Sequence, residues 1–211
     1  MRPLVATRSE LLARRSRAAF AEQGRDLLRD KRSALVREFQ RHEAELLGGL
    51  EHLRTLAVEA RRRLDDAVAA CGAGPVRSAA LAAATGIGAD LRPRTVAGVQ
   101  VFDLDHGPVR RSPGTRGWAP ALTPARLDAV AAAYEEELAW LLDLCAVELS
   151  VRRLAREIAR TTKQVNALEN IVIPRLHEEA RRISLTLDER EREEHARLRR
   201  ARSRRAARSA A

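Results

Sequence analysis

Apolar residues recur at helical spacing over most of the chain, and the positions between them are largely charged. Toward the C-terminus Ile158, Val165, Leu168, Val172, Leu176, Ala180, Ile183 and Leu187 form one narrow stripe along an otherwise charged helix. A stripe of that width suits a single partner helix. The partner is a second long helix near the N-terminus, in which Leu46, Leu50, Leu53, Ala57, Ala60, Leu64, Ala67 and Cys71 step alternately by four and three. That is a heptad seam, and it predicts a left-handed supercoil. Thr7, Arg8, Ser9 and Glu10 have the form of a capping box and start this helix. Its first part carries Leu11, Leu12, Phe20, Leu27, Leu28, Leu35 and Phe39, a broad face that leaves apolar surface for another protein. Such surface is also expected along residues 172–183.

The punctuation of the chain divides it into an N-terminal arm (1–71), a connector (72–123) and a C-terminal arm (124–211). Cys71-Gly72-Ala73-Gly74-Pro75 ends the first arm, with glycine free to take the left-handed position and proline unable to continue the helix. Gly24, Gly48 and Gly49 interrupt that arm, each at about 1 kcal/mol relative to alanine. The Gly48-Gly49 pair is either a soft point or a place of close approach, and we read it as tolerated softness. In the connector, an alanine-rich stretch (78–85) is consistent with a short helix. Val96, Gly98, Val99 and Val101 lie in a β-branched, partly alternating run that reads as a strand or short hairpin facing a partner. The following loop, up to residue 120, is rich in glycine and proline. Thr123 and Pro124 begin the second arm as N-cap and N1. Pro174 falls within it and is expected to remove one backbone bond and bend it locally. Seventy to eighty residues of helix span about 100–120 Å. The fold class is therefore all-α: a long antiparallel two-helix coiled coil with a small central loop and β-hairpin.

Composition supports a rod. Of 211 residues 45% are hydrophobic but only 3% aromatic, which suits a seam of Leu, Ala, Val and Ile. Lysine occurs only at Lys31 and Lys163, so arginine carries almost all of the basic charge. The formal net charge of +10 raises nucleic acid, an anionic membrane or an acidic protein surface as partners. Much of the excess lies in Arg197, Arg199, Arg200, Arg202, Arg204, Arg205 and Arg208, beyond the last acid, Glu194. The simplest reading of that end is a solvated, partly frayed helix terminus. No stretch is apolar for long enough to cross a bilayer, and no signal-peptide core is present. Cys71 and Cys145 are expected to stand roughly 30 Å apart in an antiparallel pair, too far for a disulfide.

Catalytic signatures are missing. Neither lysine follows a phosphate-binding glycine loop, and His42, His52, His106, His177 and His195 do not have zinc-hydrolase spacing. There is no nucleophile elbow. Asp103, Asp105 and His106 form a small polar cluster with the chemistry to hold a cation, though exposed loop acids are the simpler reading, and Glu135, Glu136 and Glu137 read as a solvated helix face. We therefore expect no catalytic, cofactor or metal residues. A basic coiled-coil scaffold for nucleic acid or an anionic membrane is the alternative; against it, the basic residues are not interleaved with aromatics and acids run through both arms.

Five stretches in this order carry a specific likeness: Thr7 to Leu12, residues 24–36, the central Val96-Ala97-Gly98-Val99-Gln100-Val101, residues 165–176, and residues 187–194. Together they resemble the D subunit of the V-type and archaeal-type rotary ATPases, the rotor component of the central stalk, over nearly the whole chain. The loop at 103–120 and the arginine-rich end depart from that pattern. The resemblance implies an axle inserted in a ring of alternating A and B subunits, with ATP chemistry in the A subunits and none here. It further implies that the small F subunit of the stalk binds alongside the axle. The C subunit, whose eukaryotic counterpart is called d, would join the axle to the membrane rotor. The implied place is peripheral, on the cytoplasmic side of the cell membrane, with no nucleotide or nucleic acid bound directly. The implied role is mechanical, coupling ATP synthesis or hydrolysis to ion translocation.

Overall fold

A computed structural model describes residues 6–83, 86–118 and 124–209, with side chains to residue 204. In chain order the elements are α1 (Arg8–Cys71), α2 (Ala73–Ala82), β1 (Ala89–Val96), β2 (Val99–His106), a 3-10 turn (Pro113–Thr115), α3 (Ala125–Ala167), a π-helical turn (Leu168–Val172) and α4 (Ile173–Ser209). The chain falls into two compact units, residues 1–32 with 160–211, and residues 33–159. The N-cap expected at Thr123 lies outside the described residues, as does the end of the helix expected at 78–85.

In the first unit the start of α1 pairs antiparallel with the end of α3, the π turn and α4. Thr7 Oγ1 accepts the backbone N–H of Glu10 at 3.2 Å, the contact that a capping box requires. Arg8 pairs with Glu191 at 2.5 Å, Arg14 with Glu179 at 2.6 Å, Glu22 with His177 at 2.9 Å and Arg29 with Glu169 at 2.5 Å. The ascending order on one helix against the descending order on the other is the signature of antiparallel pairing. Ala18, Thr161, Val165, Ile173, Ala180 and Ile183 are buried.

Pro174 acts in a way that helical periodicity does not describe. Lacking an N–H, it cannot bond to the carbonyl four residues back, and its ring crowds that carbonyl. The chain answers with one π turn, in which the Ile173 N–H reaches the carbonyl of Leu168. The wider turn advances the phase of the stripe by one residue, so Ile173 is 7% exposed and Val172 is 37% exposed.

The second unit packs α1 (from residue 33), α2, the hairpin and the first part of α3. One core cluster joins Leu35 and Leu154 to Val99 and Val101, with Phe39, Val96 and Ile158 against it; another joins Ala67, Leu127 and Val130 to Leu64, Val76 and Ala79. The helix spacing is small where glycine allows it. A Cβ built on Gly49 would collide with Cδ1 of the buried Leu144, whereas one on Gly48 meets nothing. Trp140 Nε1 donates to the Gly49 carbonyl at 2.9 Å. Gly49 is thus a site of close approach, which corrects our reading of the pair as tolerated softness.

β1 and β2 form an antiparallel hairpin in register Val96↔Val99, Arg94↔Val101 and Ala89↔His106. Ala97 (φ 48°) and Gly98 (φ 80°) make its turn, both left-handed as a tight primed turn demands. Pro93 is tolerated because β1 is an exposed edge strand. α2 starts at Ala73, earlier than the expected residue 78, because Gly72 (φ 81°) closes α1 and Pro75 falls in the first helical turn, where no N–H is needed.

Gly48→Ala is expected to stabilise the protein by about 0.5–1 kcal/mol through helix propensity. Gly49→Ala is expected to be about 1–3 kcal/mol less stable than Gly48→Ala, because Leu144 must leave its rotamer. Chemical denaturation of the two variants checks the contrast.

Candidate interaction surfaces

The expected seam residues occupy unequal environments. In the first unit Val165 and Ile183 are buried, Leu168, Leu176 and Leu187 are half-buried, and Val172 is exposed. In the second, Leu46, Leu53, Leu64 and Ile158 are half-buried, while Leu50 is exposed because Gly49 takes the position against α3. Of the hairpin residues, Val99 and Val101 are buried against α1 and α3, Val96 is half-buried, and Gly98 is the exposed turn.

A buried hydroxyl helps fix the hairpin to the helices. Ser150, fully buried on α3, accepts the Phe102 N–H at 2.8 Å and lies 2.9 Å from the Ala146 carbonyl and 3.3 Å from that of Phe102. Arg153 stacks over the Phe102 ring at 4.4 Å. At the base of the hairpin, His106 lies 3.1 Å from Asp143 on α3. A hydrogen bond with the Gly107 carbonyl, with the Asp143 and Asp105 carboxylates behind it, holds the His106 imidazole above its ordinary value despite an opposing effect of burial. Asp105 and Asp103 face Arg92 and Arg94. Among the described residues no group of His, Cys, Asp and Glu is placed to hold a metal ion.

The loop after the hairpin is pinned by a buried cation. Arg116, 5% exposed, makes a two-pronged contact with Glu135 (3.1 and 2.9 Å) and reaches Asp128 at 2.9 Å. Trp118 also donates to Asp128, and the Arg111 N–H to Glu135. Burial pushes the Glu135 carboxyl up, but Arg116 and Arg111 together outweigh it and leave it below the ordinary range. Glu135 is therefore a structural anchor, where sequence suggested a solvated face. Gly117 (φ 87°) lets the loop pass the Ala82 carbonyl, which a Cβ would strike. Beneath this loop α1, α2 and α3 enclose an apolar cleft of about 470 Å³, lined by Leu64, Val76, Leu127, Tyr134 and Leu138 among others.

Two exposed apolar surfaces remain. On the second unit Leu47 and Val58 of α1 and Tyr134, Leu138 and Leu141 of α3 are exposed, with Leu50 beside them. The contacts of Gly49 with Trp140 and Leu144, and of Arg63 with the Ala129 carbonyl, put the two stripes at the same level. Tyr134, Leu138 and Leu141 lie about a quarter of a turn from the α3 seam and Leu50 about as far from the α1 seam, and because the helices run oppositely these four fall on one side, whereas Leu47 and Val58 lie on the back of α1. The first unit carries apolar groups on the backs of both helices. Leu12, Phe20 and Leu27, at 65%, 77% and 71% exposure, lie on the back of α1, and Ile171 and Leu185 on the back of the partner helix. Its two outward faces both carry apolar groups.

Sequence reasoning did not single out Ser150, Arg116 or Trp140. Ser150 shares a face with Ala146 and Leu154 at i±4, so the signal was a small polar residue within an apolar stripe. It acquires meaning only once the hairpin is known to lie there.

A family model for the D subunit of ATP synthase matches residues 10–203. The D subunit of the A-type ATP synthase of Thermococcus kodakarensis is 38% identical over 194 residues, covering 92% of this chain and 91% of that protein. The D subunit of the V-type ATP synthase of Anaeromyxobacter dehalogenans is 38% identical over 198 residues, covering 94% and 95%. Its A-type counterpart in Methanobrevibacter smithii is 37% identical over 197 residues, covering 93% and 85%.

Ser150→Ala removes the partner of the Phe102 N–H and is expected to cost about 1–2 kcal/mol, with hydrogen-exchange protection lost first in β2. The raised His106 pKa means its link to Asp143 is fully formed below pH about 6.5 and is lost as pH rises through the raised value. A proton NMR titration is expected to place the His106 midpoint above the ordinary value and to move it down in Asp143→Asn. The difference in thermal stability between the wild type and that variant is expected to be present in mildly acidic buffer and to vanish in alkaline buffer.

Proposed function

The chain belongs to the family of ATP synthase D subunits, and from that premise we propose that it is the central rotor shaft of a V/A-type rotary ATPase, coupling ATP synthesis or hydrolysis to ion translocation. It performs no catalysis itself; ATP chemistry belongs to the A subunits. The observation that carries the reading is the surface of the first unit: a buried seam inside, and apolar side chains on both outward faces. A two-helix rod with a single partner needs one apolar face, whereas a rod enclosed by a ring of alternating A and B subunits meets apolar walls on every side.

The second unit supports a one-sided partner. We assign the F subunit of the stalk to the apolar side formed by Leu50, Tyr134, Leu138 and Leu141. The connector (72–123), between the N-terminal arm (1–71) and the C-terminal arm (124–211), is assigned to the C subunit, called d in eukaryotes, and through it to the membrane rotor. Among the described residues no helix is long and apolar enough to cross a membrane. The place we propose is peripheral, on the cytoplasmic side of the membrane.

The physics of the role is stiffness with low friction. Each buried seam residue contributes roughly 1–3 kcal/mol to holding the helices together. Exposed ion pairs such as Arg8–Glu191 are worth only about 0–1 kcal/mol each, so side chains on the outside can exchange partners as the shaft turns.

A pull-down of the tagged chain from native membranes, followed by a salt wash and mass spectrometry, is expected to recover the A, B, F and C subunits. Recovery of nucleic acid or lipid without ATPase subunits would overturn the reading. Leu168→Pro breaks the helix within the seam and is expected to abolish coupling while ATP turnover by the A subunits persists. Leu138→Glu is expected to release the F subunit selectively.

A further inference from the structure

We propose that the C-terminal end of α4 is a basic peg that is enclosed by a collar of carboxylates on the ring subunits, an inference that rests on the rotor reading above. α1 begins at Arg8, whose guanidinium pairs with Glu191, and Arg190 reaches back to the Ala6 carbonyl. α4 nevertheless continues to Ser209. Every residue from 197 to 204 is exposed, so this last segment has no helix packed along it among the described residues. Arg197 has only a long 3.8 Å approach to Glu193, and Arg199, Arg200, Arg202 and Arg204 have no acidic partner among the described residues. Neighbouring guanidiniums at three- and four-residue spacing (Arg197 and Arg200, Arg199 and Arg202, Arg200 and Arg204) repel one another along an unsupported helix. External anions relieve that repulsion.

The distribution of the arginines identifies the kind of anion. At 100° per residue the five side chains fall all round the helix, with no gap wider than about 140°. A nucleic acid groove or a membrane surface engages one side of a helix. A membrane-lying helix also needs an apolar face, and here Leu198 stands alone. No aromatic side chain lies among the arginines to stack on bases. Charge on every side fits a site that encloses the helix. Planar guanidiniums pair with carboxylates in a two-pronged fashion, which a surrounding ring of Asp and Glu side chains supplies. The apolar groups on both outward faces of the same unit call for enclosure in the same way.

The test uses the full chain reconstituted with the A and B subunits, as wild type and as the fourfold variant R197Q/R199Q/R200Q/R202Q. Glutamine has nearly the helix propensity of arginine, so the helix persists, which circular dichroism confirms. Affinity for the A and B subunits is measured across a sodium chloride series. The expected result is a wild-type affinity that is about tenfold higher than that of the variant at low salt, with the two converging as salt rises. The corresponding fourfold lysine variant is expected to keep the salt dependence and to recover part of the affinity. Binding of wild type and variant with the same affinity and salt dependence would overturn this proposal and leave the rotor reading intact. No binding of the wild type at any salt would overturn both. Tight binding of a short DNA duplex by the wild type, lost in the variant and competing with the A and B subunits, would reassign the arginines to a polyanion site.

Discussion

The antiparallel helix pair is the constraint on which the other features depend. A single helix carrying the stripe of Val165, Ile173, Ala180 and Ile183 cannot bury it alone. Pairing α1 with the C-terminal helices makes each apolar group part of a core only one side chain deep. Such a core has little depth to absorb misfit, so irregularities are resolved locally: Gly49 admits Leu144, and a π turn absorbs Pro174. Each is a change of one residue in phase or volume, and each leaves the seam closed on either side.

The same economy explains the hairpin and loop. A two-stranded hairpin is marginal by itself, and here it borrows stability from the helices through Val99, Val101 and the Ser150 hydroxyl. The loop that follows has no core of its own. The Arg116 guanidinium, satisfied by Glu135 and Asp128, supplies its fixed point. A charge so deeply placed stabilises only when its partners are complete, and here both acids come from α3. The connector is thus a set of short attachments to the two arms.

The start and close of α1, the antiparallel pairing of the long helices and the presence of a central hairpin were legible in the sequence because period, capping and turn chemistry are local signals. The capping contact of Thr7 and the C-terminal close of α1 at Gly72 are of this kind. The phase of the stripe beyond Pro174 was not, since period alone cannot tell which way a helix absorbs a missing N–H. Leu50 yielded its place because the size of Leu144, a residue nearly a hundred positions away, decides which of two neighbouring residues faces α3. Glu135 was indistinguishable from Glu136 and Glu137 in a run of three acids; only the returning loop, with Arg116, separates them.

The most direct test of the rotor account is to watch the chain move. The A and B subunits are fixed to a surface with this chain and the F subunit assembled, a gold particle is attached to the F subunit, and ATP is added. The account requires unidirectional rotation of the particle in steps that follow ATP turnover. ATP hydrolysis at the normal rate with the particle stationary, while this chain remains bound, would contradict it.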